Sequence, residues 1–489
     1  MGSLKVAMLA SEAHPFSKVG GLADAVSGLA RALGEVGVET RVLTPLYPGV
    51  RRFPLLKVGP LEFVTAAGEV ETGILWAEAK ESPVHYFLAV GDRFERPGVY
   101  DDPETGEGYP DNFERFHAFT LAALAVLARD EWRPDVVHCH DSHVGLAPAY
   151  LRLGRGPGGS ASSPRTLFTI HNLAYQGNYP AEKFAQTGFP TELFHGAGPF
   201  EFHGQLSLLK AGLSFADVLN TVSPRYAQEI QTREQGWGLD GVLRERAADL
   251  FGIVNGIDTN TWDPEADPLI FAPFSARNLP GKARNKERLR ELAGLEARDL
   301  PLVGMIGRLA EQKGIDLLLA ARDELPNLGC QWVVLGSGSP SLERQLAELA
   351  AKHPESIRLF LQFDESLAHQ IEAGADIFLM PSRYEPCGLN QMYSMRYGTL
   401  PVVRETGGLA DTVRDFASYG EKATGFTFRP YRVEAMLAAL RQAVEVWREP
   451  RLWPILVGNA MAQDFSWQKR APEYVGLYRR VLDGRPGIR

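Results

Sequence analysis

Short, largely apolar runs alternate with amphipathic stretches along the chain. The first run, 4–9, leads into a polar loop from Ser11 to Gly21. Beyond it Leu22, Val26, Leu29, Ala30 and Leu33 recur at three- and four-residue spacing, which predicts a helix. Gly37 marks its exit, and 39–43 reads as the next strand, so the chain opens β-α-β. The rhythm continues with strands at 135–138, 165–170, 216–221 and 251–254 and helices at 121–127 and 142–152. A second series starts near 300, with strands at 302–306, 330–335, 357–360, 375–380 and 399–403. Helices at 314–321, 341–352, 365–373, 387–397 and 409–416 separate them. Strands that are apolar throughout belong in a parallel sheet covered on both faces. The pattern therefore predicts two doubly wound α/β units in tandem. Their ranges are 1–254 and 255–458, joined through a Pro- and Asp-rich loop at 258–280. Residues 459–489 are helical, and Trp447, Trp453 and Trp467 are read as anchors of the last helices. The Gly/Ser/Pro stretch 154–163 reads as an exposed loop.

Composition narrows the functional classes. The 489 residues are 45% hydrophobic and 23% charged, which excludes a disordered chain. The net charge of −9 argues against non-specific nucleic-acid binding. Cys139, Cys330 and Cys387 are too sparse and scattered for a disulfide framework or a zinc site. No uncharged apolar run is long enough to span a bilayer, and the N-terminus lacks a signal-peptide pattern. The expectation is a cytoplasmic protein with no membrane partner, no metal and no resident cofactor.

Ligands of open α/β sheets bind beyond the carboxyl ends of the strands, so the polar residues there are the candidates. In the first unit they are Glu12 to Gly21, His140-Asp141, His171-Asn172 and Asn255. In the second they are Arg308 and Lys313, Gly336 to Gly338, Glu385 to Gly388, and Thr406-Gly407-Gly408. The two sets suit two units facing a central cleft. In Lys18-Val19-Gly20-Gly21 the glycines allow close approach and leave N–H groups for an anion, with Lys18 adding positive charge. A tight turn with a surface lysine is the plainer alternative. The loop matches neither a dinucleotide fingerprint nor a Walker A motif. Arg308 and Lys313 suit a diphosphate, whose growing charge they would neutralise. Glu385 is read as accepting sugar hydroxyls, stabilising positive charge at a reacting carbon, or capping a helix. Asp141 is read as a base or a hydroxyl ligand, and His171 as a donor to a sugar oxygen. The aromatic loop 91–112 is either a carbohydrate platform or a surface flap.

Taken together these motifs resemble the bacterial glycogen (starch) synthases, retaining two-lobed glucosyltransferases. The match runs through Ala10-Ser11-Glu12, Lys18-Val19-Gly20-Gly21-Leu22-Ala23-Asp24, His140-Asp141, Thr169-Ile170-His171-Asn172 and Asn255-Gly256-Ile257-Asp258. It continues through Gly307-Arg308-Leu309, Gln312-Lys313-Gly314, 381–389 and Thr406-Gly407-Gly408-Leu409. The resemblance implies a GT-B fold of two Rossmann-like domains whose C-terminal helix crosses back onto the first. It implies glucosyl transfer from ADP-glucose to the non-reducing end of an α-1,4-glucan. UDP-glucose is the alternative donor, and an inactive glucan-binding protein the alternative function. By resemblance, Lys18 lies by the diphosphate, Arg308 and Lys313 hold it, and Glu385 supports the transition state. Cys387 lies near the glucose without attacking it. Asp141 and His171 shape the acceptor and donor side. Gly407-Gly408 meets phosphate and sugar through backbone N–H groups. Base selection is expected around Gln362-Phe363 and Tyr384. Loss of Arg308 or Lys313 is expected to reduce turnover far more than stability.

Overall fold

The computed structural model describes residues 3–65, 68–78, 83–129, 131–156 and 164–484. Most of the expected loop at 154–163 lies outside them. The chain forms two compact units. The first comprises the chain up to Val222, residues 227–256 and the described residues from Trp467 on; the second comprises 223–226 and 257–466.

The first unit contributes β1 (Lys5–Leu9), β2 (Glu39–Pro45), β3 (Leu55–Val64), β4 (Val70–Glu78), β5 (Val84–Val90), β6 (Val136–His140) and β7 (Arg165–Ile170). It continues with β8 (Asn178–Pro180), β9 (Glu201–Phe202), β10 (Gln205–Ser207), β11 (Val218–Thr221) and β12 (Leu250–Gly252). Nine of these form one sheet in the order β12-β11-β7-β6-β1-β2-β5-β4-β3, and β8, β10 and β9 form a small second sheet. Pairing is parallel from β12 to β5, whereas β4 runs antiparallel to β5 and β3. Val6 to Leu9 are completely buried, as an apolar run covered on both faces requires. The β3–β5 edge was not predicted, because Leu56, Val58, Val64 and Val70 lie exposed there and blur the apolar-in, polar-out alternation.

The second unit is a parallel sheet of β13 (Leu302–Ile306), β14 (Gln331–Leu335), β15 (Ile357–Phe360), β16 (Ile377–Met380), β17 (Leu400–Arg404) and β18 (Phe426–Phe428). Its order is β15-β14-β13-β16-β17-β18. The chain winds outward in both directions from β13, and likewise from β1 in the first unit. Both units are thus Rossmann-like, with topological switch points between β13 and β16 and between β1 and β6.

The helix Trp467–Asp483 lies on the helix Gly21–Glu35 of the first unit, where Gln468 Nε2 donates to Glu35 Oε2 at 2.9 Å. Trp467 is buried over Gly28, where an added Cβ would come within 2.1 Å of its Nε1. Residues 459–466, expected in the crossover, cluster with the second unit instead. The segment expected as a loop boundary is also packed into the second unit. Trp262 stacks between His369 and Tyr393 at 3.8 Å from each, and Asp267 accepts from Tyr397 at 2.6 Å.

Candidate active site

In the first unit β1 runs into Ser11-Glu12, β6 into Asp141 and β7 into His171, three neighbouring strand ends. Glu12 is buried. Its carboxylate accepts from the N–H groups of Val19 and Gly20 and from the Tyr100 hydroxyl, the last at 2.5 Å. Burial pushes its carboxyl above the usual range, and the three donors oppose that. The glycine turn was expected to leave its N–H groups for an external anion. For Gly20 this is corrected: the chain's own carboxylate sits there, because β1 delivers Glu12 to the turn. Lys18 pairs with Asp24 at 2.9 Å. An added Cβ at Gly20 meets nothing within 4 Å, so the face above this turn is open, and the exposed Gly21 starts the helix.

Tyr100, from the 91–112 loop, was not singled out from sequence. Its hydroxyl also lies 2.6 Å from Ser11 Oγ, and its ring stacks on His143 at 4.4 Å. The loop is tied down further by Arg96, which makes two 2.9 Å bonds to Asp111. Only the aromatic content of the loop hinted at this role.

Asp141 has φ of 62° and ψ of −179°, a backbone region that belongs to glycine. Its Oδ1 accepts from the His171 N–H at 2.7 Å. Burial pushes its carboxyl up to about 7; the N–H groups of His171 and Asn172 oppose this, and Glu12 adds to it. His171 Nε2 lies 3.0 Å from His140 Nδ1. Burial lowers both imidazoles, His171 to about 3, so both are neutral and one must donate to the other. His140 Nε2 is buried without a partner. A buried donor left unpaired costs more than an unused acceptor. The shared proton therefore belongs to His140 Nδ1. His171 accepts it at Nε2 and carries its own proton on Nδ1, as a donor. His138 is taken up by Thr169 Oγ1 at 2.6 Å and Tyr478 at 2.9 Å. Among the described residues Asn255 Oδ1 is another buried acceptor without a partner.

In the second unit β13 runs into Gly307-Arg308 and β16 leads to Glu385. Lys313 Nζ lies 2.6 Å from Glu385 Oε2, which also accepts from Ser382 Oγ at 3.1 Å. Glu385 is only 6% exposed. The next helix starts at Asn390, so Glu385 does not cap it. Arg308 is exposed and donates to Gln312 Oε1 at 3.1 Å. Thr406 is buried beyond β17. Gly408 N–H, expected to face a phosphate, donates to the carbonyls of Glu385 and Pro386 at 3.2 and 3.1 Å. The glycine pair is needed for close approach: added Cβ atoms at Gly407 and Gly408 would lie 2.0 Å from the carbonyl oxygens of Glu385 and Cys387. The pair thereby fixes the backbone that carries Glu385.

The starch synthase catalytic domain family matches residues 5–245, and the group 1 glycosyl transferases match residues 290–452. The glycogen synthase of Syntrophotalea carbinolica is 44% identical over 483 residues, covering 98% of this chain and 99% of its own. That of Anaeromyxobacter dehalogenans strain 2CP-C is 47% identical over 482 residues, covering 98% and 100%. The chain belongs to the glycogen (starch) synthase family. It is a glucosyltransferase of glycogen synthesis. The catalytic domain of starch synthase IV from Arabidopsis thaliana, solved with ADP and acarbose, superposes with a TM-score of 0.90 at 34% identity, covering 99% of this chain and all of that one. A sucrose-phosphate synthase from Thermosynechococcus elongatus, 19% identical with a TM-score of 0.61, shares the fold. Both Rossmann-like units thus belong to a GT-B enzyme. Among the described residues no helix is long and apolar enough to cross a membrane.

Proposed function

We propose that this synthase, acting in the cytoplasm, moves glucose from ADP-glucose to the non-reducing end of an α-1,4-glucan with retention, releasing ADP. The observation that carries this reading is at the second unit's switch point, where Lys313 is ion-paired with a buried Glu385 and Arg308 lies exposed at the end of β13. Two cations there stabilise the charge that builds on a departing diphosphate. Glu385, held by Lys313 and Ser382, offers negative charge to an oxocarbenium-like carbon. Its engagement with Lys313 suits electrostatic support better than the covalent attack used by retaining glycosidases. Retention then follows from same-face attack, with the leaving phosphate taking the acceptor's proton. His171 contributes a neutral N–H donor to a sugar oxygen, and the Asp141 carboxyl, which holds the His171 N–H through Oδ1, accepts from a sugar hydroxyl. Lys18, Gly20, Gly21 and Asn255 line the route of phosphate and sugar on the first unit. Gly407 and Gly408 hold the Glu385 loop, and Thr406 opens their helix. The base packs near Phe363, which is 87% exposed just beyond β15.

Nucleotide release from ADP-glucose and UDP-glucose, each with and without glycogen and EDTA, tests the reading. Glycogen-dependent ADP release that survives EDTA is expected. Preferential UDP release would replace the donor, and no release from either would overturn the reading.

A further inference from the structure

We propose that Trp237 and Tyr175, linked through Gln176, form a stacking platform for the α-glucan chain on the first unit. This rests on the glucan acceptor named above. Among the described residues three non-glycines have positive φ: Asp141, His203 and Trp237. His203 and Gly204, at 49° and 80°, form the two-residue turn between β9 and β10. That is ordinary type I′ hairpin geometry. Trp237 and Gly238 repeat the pair of angles, at 50° and 81°. Asn, Asp or Gly suits the first of these positions, and a bulky aromatic ring is an outlier there.

Burial does not offset the strain, because Trp237 is 49% exposed. The turn is nevertheless held firmly. Gln176 Nε2 donates to the Trp237 carbonyl at 2.9 Å, and Leu239 N–H donates to the Gly236 carbonyl at 2.7 Å. An added Cβ at Gly238 would come within 2.8 Å of the Phe202 ring. A large apolar ring kept at the surface against its backbone preference marks a functional position.

The tether adds a second ring. Gln176 follows Tyr175, which is 51% exposed and whose N–H donates to the Asn172 carbonyl at 3.2 Å. This segment leaves the end of β7 directly after His171, so Tyr175 and the tether of Trp237 lie within five residues of that site residue in the chain. A pyranose ring has an apolar face of C–H groups and a hydroxyl rim. Amphipathic rings such as Trp and Tyr match both. A growing glucan extends well past its reacting end and needs such support.

Trp237→Asn separates this role from a structural one. Asparagine accepts the turn geometry, so the melting temperature should rise by about 2 °C. The ratio of kcat/KM on glycogen to that on maltotriose should fall about fivefold, roughly 1 kcal/mol. Retardation in a glycogen-containing native gel should weaken in parallel. Trp237→Phe should retain most of both, and Tyr175→Ala, outside the turn, should lower the ratio. An unchanged ratio and retardation in Trp237→Asn and Tyr175→Ala would overturn the proposal. So would a lowered melting temperature in Trp237→Asn with the ratio intact. A wild-type enzyme that does not elongate glycogen would instead overturn the acceptor reading on which the proposal rests.

Discussion

Replacing Asp141 with asparagine should strengthen the fold at pH 8 while slowing the enzyme. The buried carboxyl ionises near 7 in the folded chain and near its ordinary 3.8 when unfolded, chiefly because β6 delivers it into a dry position. Between those values the folded state keeps a proton that the unfolded chain has lost. Stability therefore falls as pH rises through the window and stays low above it. The gap is about three pH units. At about 1.4 kcal/mol each it amounts to about 4 kcal/mol, fully present at pH 8 and absent below pH 4. Asparagine keeps the acceptor that His171 N–H uses but adds a buried NH₂, which costs about 1–3 kcal/mol if unpaired. The net gain at pH 8 is thus about 1–3 kcal/mol. Below pH 4 the variant should be the weaker protein. Urea unfolding of both proteins from pH 4 to 8 measures the difference. Turnover should fall about 10–10²-fold, as for loss of a hydrogen bond between a sugar hydroxyl and a charged group. The wild-type limb of kcat/KM near pH 7 should disappear. A stability difference that is flat across pH would refute the burial argument, and unchanged turnover would refute the catalytic role.

Arg308 and Lys313, alike in sequence, should separate on mutation. Arg308→Ala should lower ADP release about 10²–10³-fold and leave the melting temperature almost unchanged, since its side chain is exposed. Lys313→Ala should also cost about 3 kcal/mol, because it strands the buried Glu385. Adding Glu385→Gln should restore the stability and not the turnover. Gly407→Ala should lower melting temperature and turnover together, with stability falling by more than about 1 kcal/mol, because its Cβ would drive into the Glu385 carbonyl. A variant with normal melting and normal turnover would refute that packing role.

The sequence by itself determined the parallel strands at the centre of each sheet, the two doubly wound units and the strand ends that carry Arg308, Glu385, Asp141 and His171. Those features are local. An apolar run with a polar residue just past it reports its own burial and its own end, wherever the rest of the chain goes. The exposed β3–β5 edge escaped because burial there is one-sided and irregular. Tertiary structure alone decided how the polar groups are committed. The N–H of Gly20 belongs to Glu12, that of Gly408 to the Glu385 loop, and Lys313 to Glu385, 72 residues away. It also decided the donor form of His171, through an unpaired nitrogen on His140, and the strain at Asp141 and Trp237. Hydrogen bonds and pKa shifts depend on which groups meet in a dry environment. That meeting is fixed by strands brought together across long stretches of chain, so no local pattern of residues encodes it.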